Sequence, residues 1–179
     1  MSASGAAGSV DNALFEGLFC RALDVSGPLE EELRRLGYDR QRPVARYEGA
    51  VLAACVAEAR RATYPALDEA EGLRQLGLRF VDGFRQTILG RVATTALPLL
   101  GPARFLPRLP GRFRSLRLDA SVTVELLGPE SARLQFVDPL PLAHFFGGAV
   151  EGALKLGGAK TPHVEVTPGT GGYALTATW

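Results

Sequence analysis

The last third of the chain carries its clearest hydrophobic pattern. Apolar and polar residues alternate from Leu116 to Leu126, which is typical of a strand with one face in water. Gly128 and Pro129 then predict a turn, and Ala132–Val137 predicts the second strand of a hairpin. Between Pro141 and Leu156 the apolar residues recur at helical spacing, which predicts a helix with one apolar stripe. That stripe contains Phe145, Phe146, Ala149, Ala153 and Leu156.

A second predicted hairpin follows this helix. His163–Thr167 and Tyr173–Trp179 are the expected strands, joined by the glycine-rich segment 169–172. Two strands, a helix and two strands form a compact unit when the helix packs on an antiparallel sheet. The predicted fold class is therefore α+β, with N-terminal helices packed with a C-terminal ββαββ antiparallel sheet unit.

The N-terminal region has weaker patterns. Met1–Ser9 is rich in Ala, Ser and Gly, and we expect a disordered tail before a single domain at residues 10–179. Ala13–Leu23 is compatible with a strand or a helix, and its alternation favours the strand. Pro28–Leu36 predicts a short helix, with Pro28 in its first turn and Gly37 just past its end.

Two longer helices are predicted next. Tyr47–Tyr64 has apolar residues at helical spacing and ends before a proline. Asp68–Arg91 is the longest helical pattern, and Asp68 with Glu71 predicts a capping box at its start. Its apolar stripe contains Leu73, Leu76, Phe80, Phe84 and Ile88. The glycines that interrupt it, Gly77, Gly83 and Gly90, either allow another backbone to approach or leave space beside the stripe.

Composition narrows the class of protein. The chain has 179 residues and a formal net charge of +1, so no global field attracts nucleic acid. Cys20 and Cys55 predict free thiols in a reducing compartment, with one disulfide as the alternative. The N-terminus lacks the pattern of a secretory signal, and the uncharged middle of the chain is too short to span a bilayer. We expect a cytoplasmic protein without a membrane span and without a nucleic-acid partner.

The polar residues do not form a recognisable catalytic or metal-binding motif. The cysteines and the two histidines, His144 and His163, lack the spacings of metal ligands. His144 falls on the polar stripe of its helix with Glu151 and Lys155, which predicts a solvated side chain. The segment 169–172 joins two strands, so it is a hairpin turn rather than a phosphate-binding loop. We expect no cofactor, no metal and no enzymatic activity.

Two features remain as candidate sites. A basic run at 102–117 has interleaved aromatics and no acid, and it either binds an anionic partner or pairs with carboxylates of neighbouring helices. Its candidate anion-binding residues are Arg104, Arg108, Arg112 and Arg114. The second feature is a pair of apolar stripes, which form either plain core or a pocket for an apolar ligand. The residues that would line such a pocket are Phe80, Phe84, Ile88, Phe145, Phe146 and Ala149.

Four segments resemble a domain family of unknown function that is expanded as many paralogues in myxobacteria. They are residues 15–23, 73–91, 100–110 and 145–159, with sequences such as FEGLFCRAL and FFGGAVEGALKLGGA. The order of elements also resembles a superfamily of vinyl-reductase-type sensors, haem-nitric-oxide sensors and trafficking-complex (TRAPP) subunits. Haem sensors of that group need a histidine on a helix in the middle of the fold, and this chain has none before His144. The vinyl-reductase-type domains often carry a C-terminal cysteine cluster, which is also absent.

The resemblance and the apolar stripes together imply a sensory or small-molecule-binding domain. Gly83, Gly147, Gly148 and Gly152 would give the space that a ligand needs between the helices. The alternative is a protein-interaction or dimerisation module, as the trafficking-complex subunits are.

Overall fold

The computed structural model describes residues 9–179. The N-terminal elements are β1 (Val10–Asp11), α1 (Asn12–Phe15), a π-helical turn (Glu16–Ala22), α2 (Gly27–Arg35), β2 (Arg46–Tyr47), α3 (Gly49–Thr63) and α4 (Glu69–Phe84). A set of short helices follows: α5 (Ile88–Thr94), α6 (Leu97–Leu100), α7 (Pro102–Phe105), a 3₁₀ turn (Leu106–Arg108) and α8 (Leu109–Leu116). The C-terminal elements are β3 (Ser121–Gly128), β4 (Ser131–Val137), α9 (Ala143–Leu156), β5 (His163–Gly169) and β6 (Gly172–Thr178).

The C-terminal strands form one antiparallel sheet in the order β3-β4-β6-β5. The central pair places Leu134 opposite Leu175 and Phe136 opposite Tyr173, so buried side chains share one face. Helix α9 covers this face, and the rings of Phe136 and Phe146 stack with centroids 6.1 Å apart. The predicted α+β class and the ββαββ order are confirmed.

Helix α4 packs on α9 at a very short distance. A Cβ atom built on Gly77 would lie 2.0 Å from the carbonyl oxygen of Phe145, and one on Gly148 would lie 2.0 Å from that of Arg74. Neither position can hold a larger residue without moving the helices apart. Gly83 is equally tight, since its Cβ would lie 2.0 Å from the carbonyl oxygen of Gly17. These glycines therefore serve close helix packing, and the prediction that Gly83 and Gly148 open space for a ligand is wrong.

The predicted strand at Ala13–Leu23 is wrong. Asp11 caps a helix there by accepting a hydrogen bond from the amide of Ala13, and the chain then continues through the π-helical turn. The helical path buries Phe15, Leu18 and Phe19 together, whereas a strand would have placed Leu18 opposite the other two. The helical spacing of these large apolar residues outweighs their partial alternation.

The predicted helix at Asp68–Arg91 is two helices. Helix α4 ends at Phe84, and the hydroxyl of buried Thr87 accepts from the amide of Gly90 to start α5 in a new direction. Ile88 therefore leaves the apolar stripe of α4 and is 86% exposed. At the other end of this region, β3 begins only at Ser121, because Leu116 closes α8 instead of opening the strand.

The remaining features concern the termini, the thiols and the membrane. The tail predicted for Met1–Ser9 lies outside the described residues except for Ser9. Cys20 and Cys55 are free thiols, as predicted, and Cys20 lies 3.2 Å from the hydroxyl of Tyr38. In residues 9–179, every helix is too short or too polar to cross a bilayer.

Candidate functional site

A cavity of about 210 Å³ lies between α4, α9 and the short helices α5–α8. Its walls are mainly apolar side chains, and its polar lining is limited to Thr94, Arg108, Arg112 and Ser115. Helix α4 supplies Phe80, Val81 and Phe84, and α9 supplies Ala149, Val150 and Ala153. The rest of the apolar wall comes from Leu89, Val92, Ala93, Ala96, Leu97, Leu100, Phe105, Leu106, Leu109, Phe113 and Leu116.

Proline positions explain how residues 97–116 form this wall. Pro98, Pro102, Pro107 and Pro110 each lie at the first or second position of a short helical element. Proline is tolerated there because the first amides of a helix have no partner within it. The prolines thus divide this stretch into short helical pieces. The chain bends around the cavity and presents an apolar face from each piece.

The structure brings three of the six predicted pocket residues to the cavity. Phe80, Phe84 and Ala149 line it. Phe145 and Phe146 are buried elsewhere in the core, and the ring of Phe145 contacts Phe80 directly with centroids 5.5 Å apart. Ile88 points away from the cavity into solvent. A ligand role for the three lining residues stays a prediction.

The four predicted anion-binding arginines separate into two pairs. Arg108 and Arg112 line the cavity, whereas Arg104 and Arg114 are exposed elsewhere. Within residues 9–179, none of the four forms an ion pair with a carboxylate. The stretch from Arg85 to Leu118 contains seven arginines and no Asp or Glu, so a carboxylate partner has to come from another part of the chain.

The fifth arginine of the basic run, Arg117, is fully buried. Its guanidinium donates to Asp119 at 2.7 and 3.1 Å and to Asp138 at 2.9 and 3.3 Å. The guanidinium also lies 5.9 Å from the ring centroid of Phe146, and the hydroxyl of Tyr173 donates to Asp138. This ionic cluster joins α8 to the sheet and to the start of α9. Arg117 does pair with carboxylates, but they lie beside the strands β3 and β4 rather than on neighbouring helices as predicted.

Burial and ion pairing act in opposite directions on this cluster. Burial raises the pKa of Asp119, but hydrogen bonds and charge from Arg117 outweigh it and hold the pKa below its ordinary value. Burial lowers the pKa of Arg117, and its hydrogen bonds to Asp119 and Asp138 raise it further than burial lowers it. Burial raises the pKa of the Tyr173 phenol. Arg117 and Asp119 are therefore charged at neutral pH, and the Tyr173 phenol is neutral.

A second ion-pair network joins α4 to α9. Glu151 accepts from Arg74 and from Lys155, and Arg74 also donates to Glu71. Hydrogen bonds from Arg74 and then Gln75 lower the pKa of Glu71 to about 2. Glu151 is only 8% exposed, whereas His144, which was predicted to be solvated, is half-buried. The charge of Glu151 is held by the arginine of the neighbouring helix.

The polar groups of the described cavity lining are two hydroxyl side chains and two arginines. Its described lining holds no carboxylate, imidazole, thiol or phenol that would act as a general base or nucleophile. In the described part of the chain, no three His, Cys, Asp or Glu residues cluster as metal ligands. The lining thus encloses an apolar volume that Arg108 and Arg112 border.

Several solved structures share this fold. An H-NOX protein from S. oneidensis in the Fe(II)NO ligation state has a TM-score of 0.67 and 14% identity, covering 93% of this chain and 97% of that one. An oxygen-binding H-NOX domain related to soluble guanylate cyclases has a TM-score of 0.64 and 15% identity, covering 93% and 89%. A variant H-NOX protein from K. algicida in the Fe(II) unliganded state has a TM-score of 0.61 and 10% identity, covering 94% and 95%.

The cavity residues do not fit haem iron. Haem is held in proteins by the side chain of His, Cys, Met or Tyr, and none of these lines the described cavity. The two histidines, His144 and His163, lie at the start of α9 and of β5, outside the lining. The described cavity lining therefore lacks the side chain that haem ligation requires, although the fold is shared with H-NOX proteins.

The comparison by sequence gives a family rather than an activity. No protein of curated function matches the chain. A family model with the description "Protein of unknown function (DUF2378)" matches residues 9–176, which is nearly the whole chain. The chain therefore belongs to the family of proteins of unknown function DUF2378.

Proposed function

We propose that the chain is a non-enzymatic, small-molecule-binding sensory domain whose ligand occupies the cavity between α4, α9 and the helices α5–α8. The cavity is the observation that carries this proposal, because it is partly enclosed, apolar and built from separate elements. The fold shared with H-NOX proteins supports a sensory role by analogy only. Membership of a myxobacterial group of paralogues stays a prediction.

The volume of the cavity limits the size of the ligand. An apolar cavity of about 150 Å³ is known to bind benzene, so about 210 Å³ suits a molecule of on the order of ten non-hydrogen atoms. One wall is made by the short helices α5–α7, which are joined by brief turns instead of being held in a long element. Movement of this wall would both admit a ligand and transmit its presence to the surface.

Filling the cavity is expected to prevent binding of an apolar probe. In Ala149→Leu the larger side chain occupies ligand volume, so we expect the affinity for 1-octanol to fall at least tenfold. The matched control is Ala57→Leu on the exposed side of α3, which should bind 1-octanol as the unmodified protein does. Affinity is measured by calorimetry and by the ligand-dependent rise in Tm. If Ala149→Leu binds 1-octanol as tightly as the unmodified protein does, the probe does not occupy this cavity and the proposed ligand site is wrong.

An interaction module is the second candidate, and an exposed apolar surface favours it. Ile88 and Val92 lie one turn apart on α5 and are 86% and 64% exposed, and Leu99 on α6 is 86% exposed. Exposed apolar residues of this size often mark a docking surface. The charged residues near them on the chain, Arg85 and Arg91, are both arginines, so an acidic protein partner fits better than a second copy.

The oligomeric state of the protein distinguishes binding of an acidic protein partner from binding of a second copy of this chain. A symmetric dimer through Ile88 and Val92 would bring Arg91 of both copies into one interface, where like charges repel. We therefore expect light scattering after size exclusion to show a monomer across a wide range of protein concentrations at low salt. A dimer that persists on dilution and is lost in Ile88→Gln would instead establish a dimerisation module.

A further inference from the structure

We propose that the ligand of the cavity is a medium-chain monocarboxylate, with its hydrocarbon in the apolar volume and its carboxylate bound by Arg108 and Arg112. This inference rests on the proposed function and names the ligand class for the same site. It follows from three observations: the placement of the two arginines, the absence of competing acids and the dimensions of the cavity.

The placement follows from the periodicity of α8. Arg108 precedes the helix and Arg112 lies four residues later, so both project from one side of the same helical turn. The same side carries Leu109, Phe113 and Leu116, and all five residues line the cavity. Two arginines thus border an apolar wall, which is the arrangement that an amphiphile with one anionic end requires.

The two guanidinium groups are available to a ligand. Neither Arg108 nor Arg112 pairs with a carboxylate of the described residues, and the described lining itself holds no acid. Ser115 and Thr94, the other polar lining residues, donate their hydroxyl hydrogens to backbone carbonyls of their own helices. A carboxylate ligand therefore meets arginine donors without a competing carboxylate in the described lining, and arginine binds carboxylates with two parallel hydrogen bonds.

The dimensions favour a chain of medium length. A volume of about 210 Å³ holds on the order of ten non-hydrogen atoms, which is the size of octanoate. A longer chain would have to leave the cavity past the wall of α5 and α6. Octanoate and 1-octanol are therefore the probes, because they share the hydrocarbon and differ in the charge at one end.

The experiment compares both probes by calorimetry on the full chain and on two double variants. In Arg108→Gln/Arg112→Gln we expect octanoate to bind at least tenfold more weakly, with 1-octanol unchanged. The matched control is Arg104→Gln/Arg114→Gln, which removes the same charge outside the cavity and should leave both affinities within about twofold. Added salt should weaken octanoate binding and not 1-octanol binding, since only the carboxylate interacts through charge.

The outcomes separate this inference from the proposed function. Equal affinity for octanoate and 1-octanol, or an equal loss in both double variants, overturns the carboxylate assignment and leaves the cavity as an apolar ligand site. Failure of both probes to bind the unmodified protein overturns both. All four substituted arginines are exposed and bind no described carboxylate, so the variants are expected to keep the Tm of the unmodified protein, which the same samples report.

Discussion

Arg117→Met is expected to lower the free energy of unfolding by about 3–5 kcal/mol. The substitution leaves Asp138 buried without the guanidinium that neutralises it, and Asp138 retains only the phenol of Tyr173 and the amide of Leu140 as donors. An uncompensated buried carboxylate costs more than the methionine side chain regains by packing. Chemical denaturation followed by circular dichroism measures the change.

Two further variants test the physical reason for this loss. Arg114→Met changes an exposed arginine of the same helix, and its unfolding free energy should shift by less than about 0.5 kcal/mol. Adding Asp138→Asn to Arg117→Met removes the orphaned charge, so the double variant should be more stable than Arg117→Met alone. If Arg117→Met matches Arg114→Met in stability, the buried cluster does not hold α8 to the sheet.

The same cluster makes the stability of the folded protein depend on pH. The pKa of Asp119 lies below its ordinary value of about 3.9 in the folded state. Its contribution to stability is therefore complete above that ordinary value and is lost as the pH falls through the lowered pKa. Glu151 behaves in the same way, because hydrogen bonds from Lys155 and then Arg74 outweigh the effect of burial and lower its pKa. We expect stability to fall below about pH 4, and less steeply in Arg117→Met.

The C-terminal half of the fold could be predicted because its signal is local. Alternation in Ala132–Val137 and helical spacing in 145–156 each report one buried face, and the turns between them contain glycine or proline. The N-terminal segment 13–23 was harder, because its large residues satisfy a period of two in part and a helical period in full. Only burial of Phe15, Leu18 and Phe19 in one core distinguishes the two.

The cavity could be predicted only in part, because it depends on contacts between distant elements. The helical stripes in the sequence predicted three of the lining residues, which are Phe80, Phe84 and Ala149. Part of the wall also has a signal in the sequence, since Leu106, Leu109, Phe113 and Leu116 recur every three or four positions. No local sequence pattern predicts the burial of Arg117. Its partner Asp138 is twenty-one residues away in the sequence and follows the end of β4.

Gly77→Ala is the second substitution with a large expected effect. The new methyl group would lie 2.0 Å from the carbonyl oxygen of Phe145 and 2.8 Å from the amide nitrogen of Ala149. Both are backbone atoms of α9, so the strain can be relieved only by separating α4 from α9. We expect a loss of about 3 kcal/mol in unfolding free energy, at the upper end for an overpacked core.

The matched control is Gly111→Ala in α8, where an added Cβ meets no atom within 4 Å. Alanine favours a helix over glycine by up to about 1 kcal/mol, so this variant should be equal to or slightly more stable than the unmodified protein. The helix contact and the cavity are also coupled, because Ala149 lies next to Gly77 and lines the cavity. Gly77→Ala should therefore change the affinity for 1-octanol, whereas Gly111→Ala should not. Equal stabilities for the two variants would show that α4 and α9 are not held in close backbone contact.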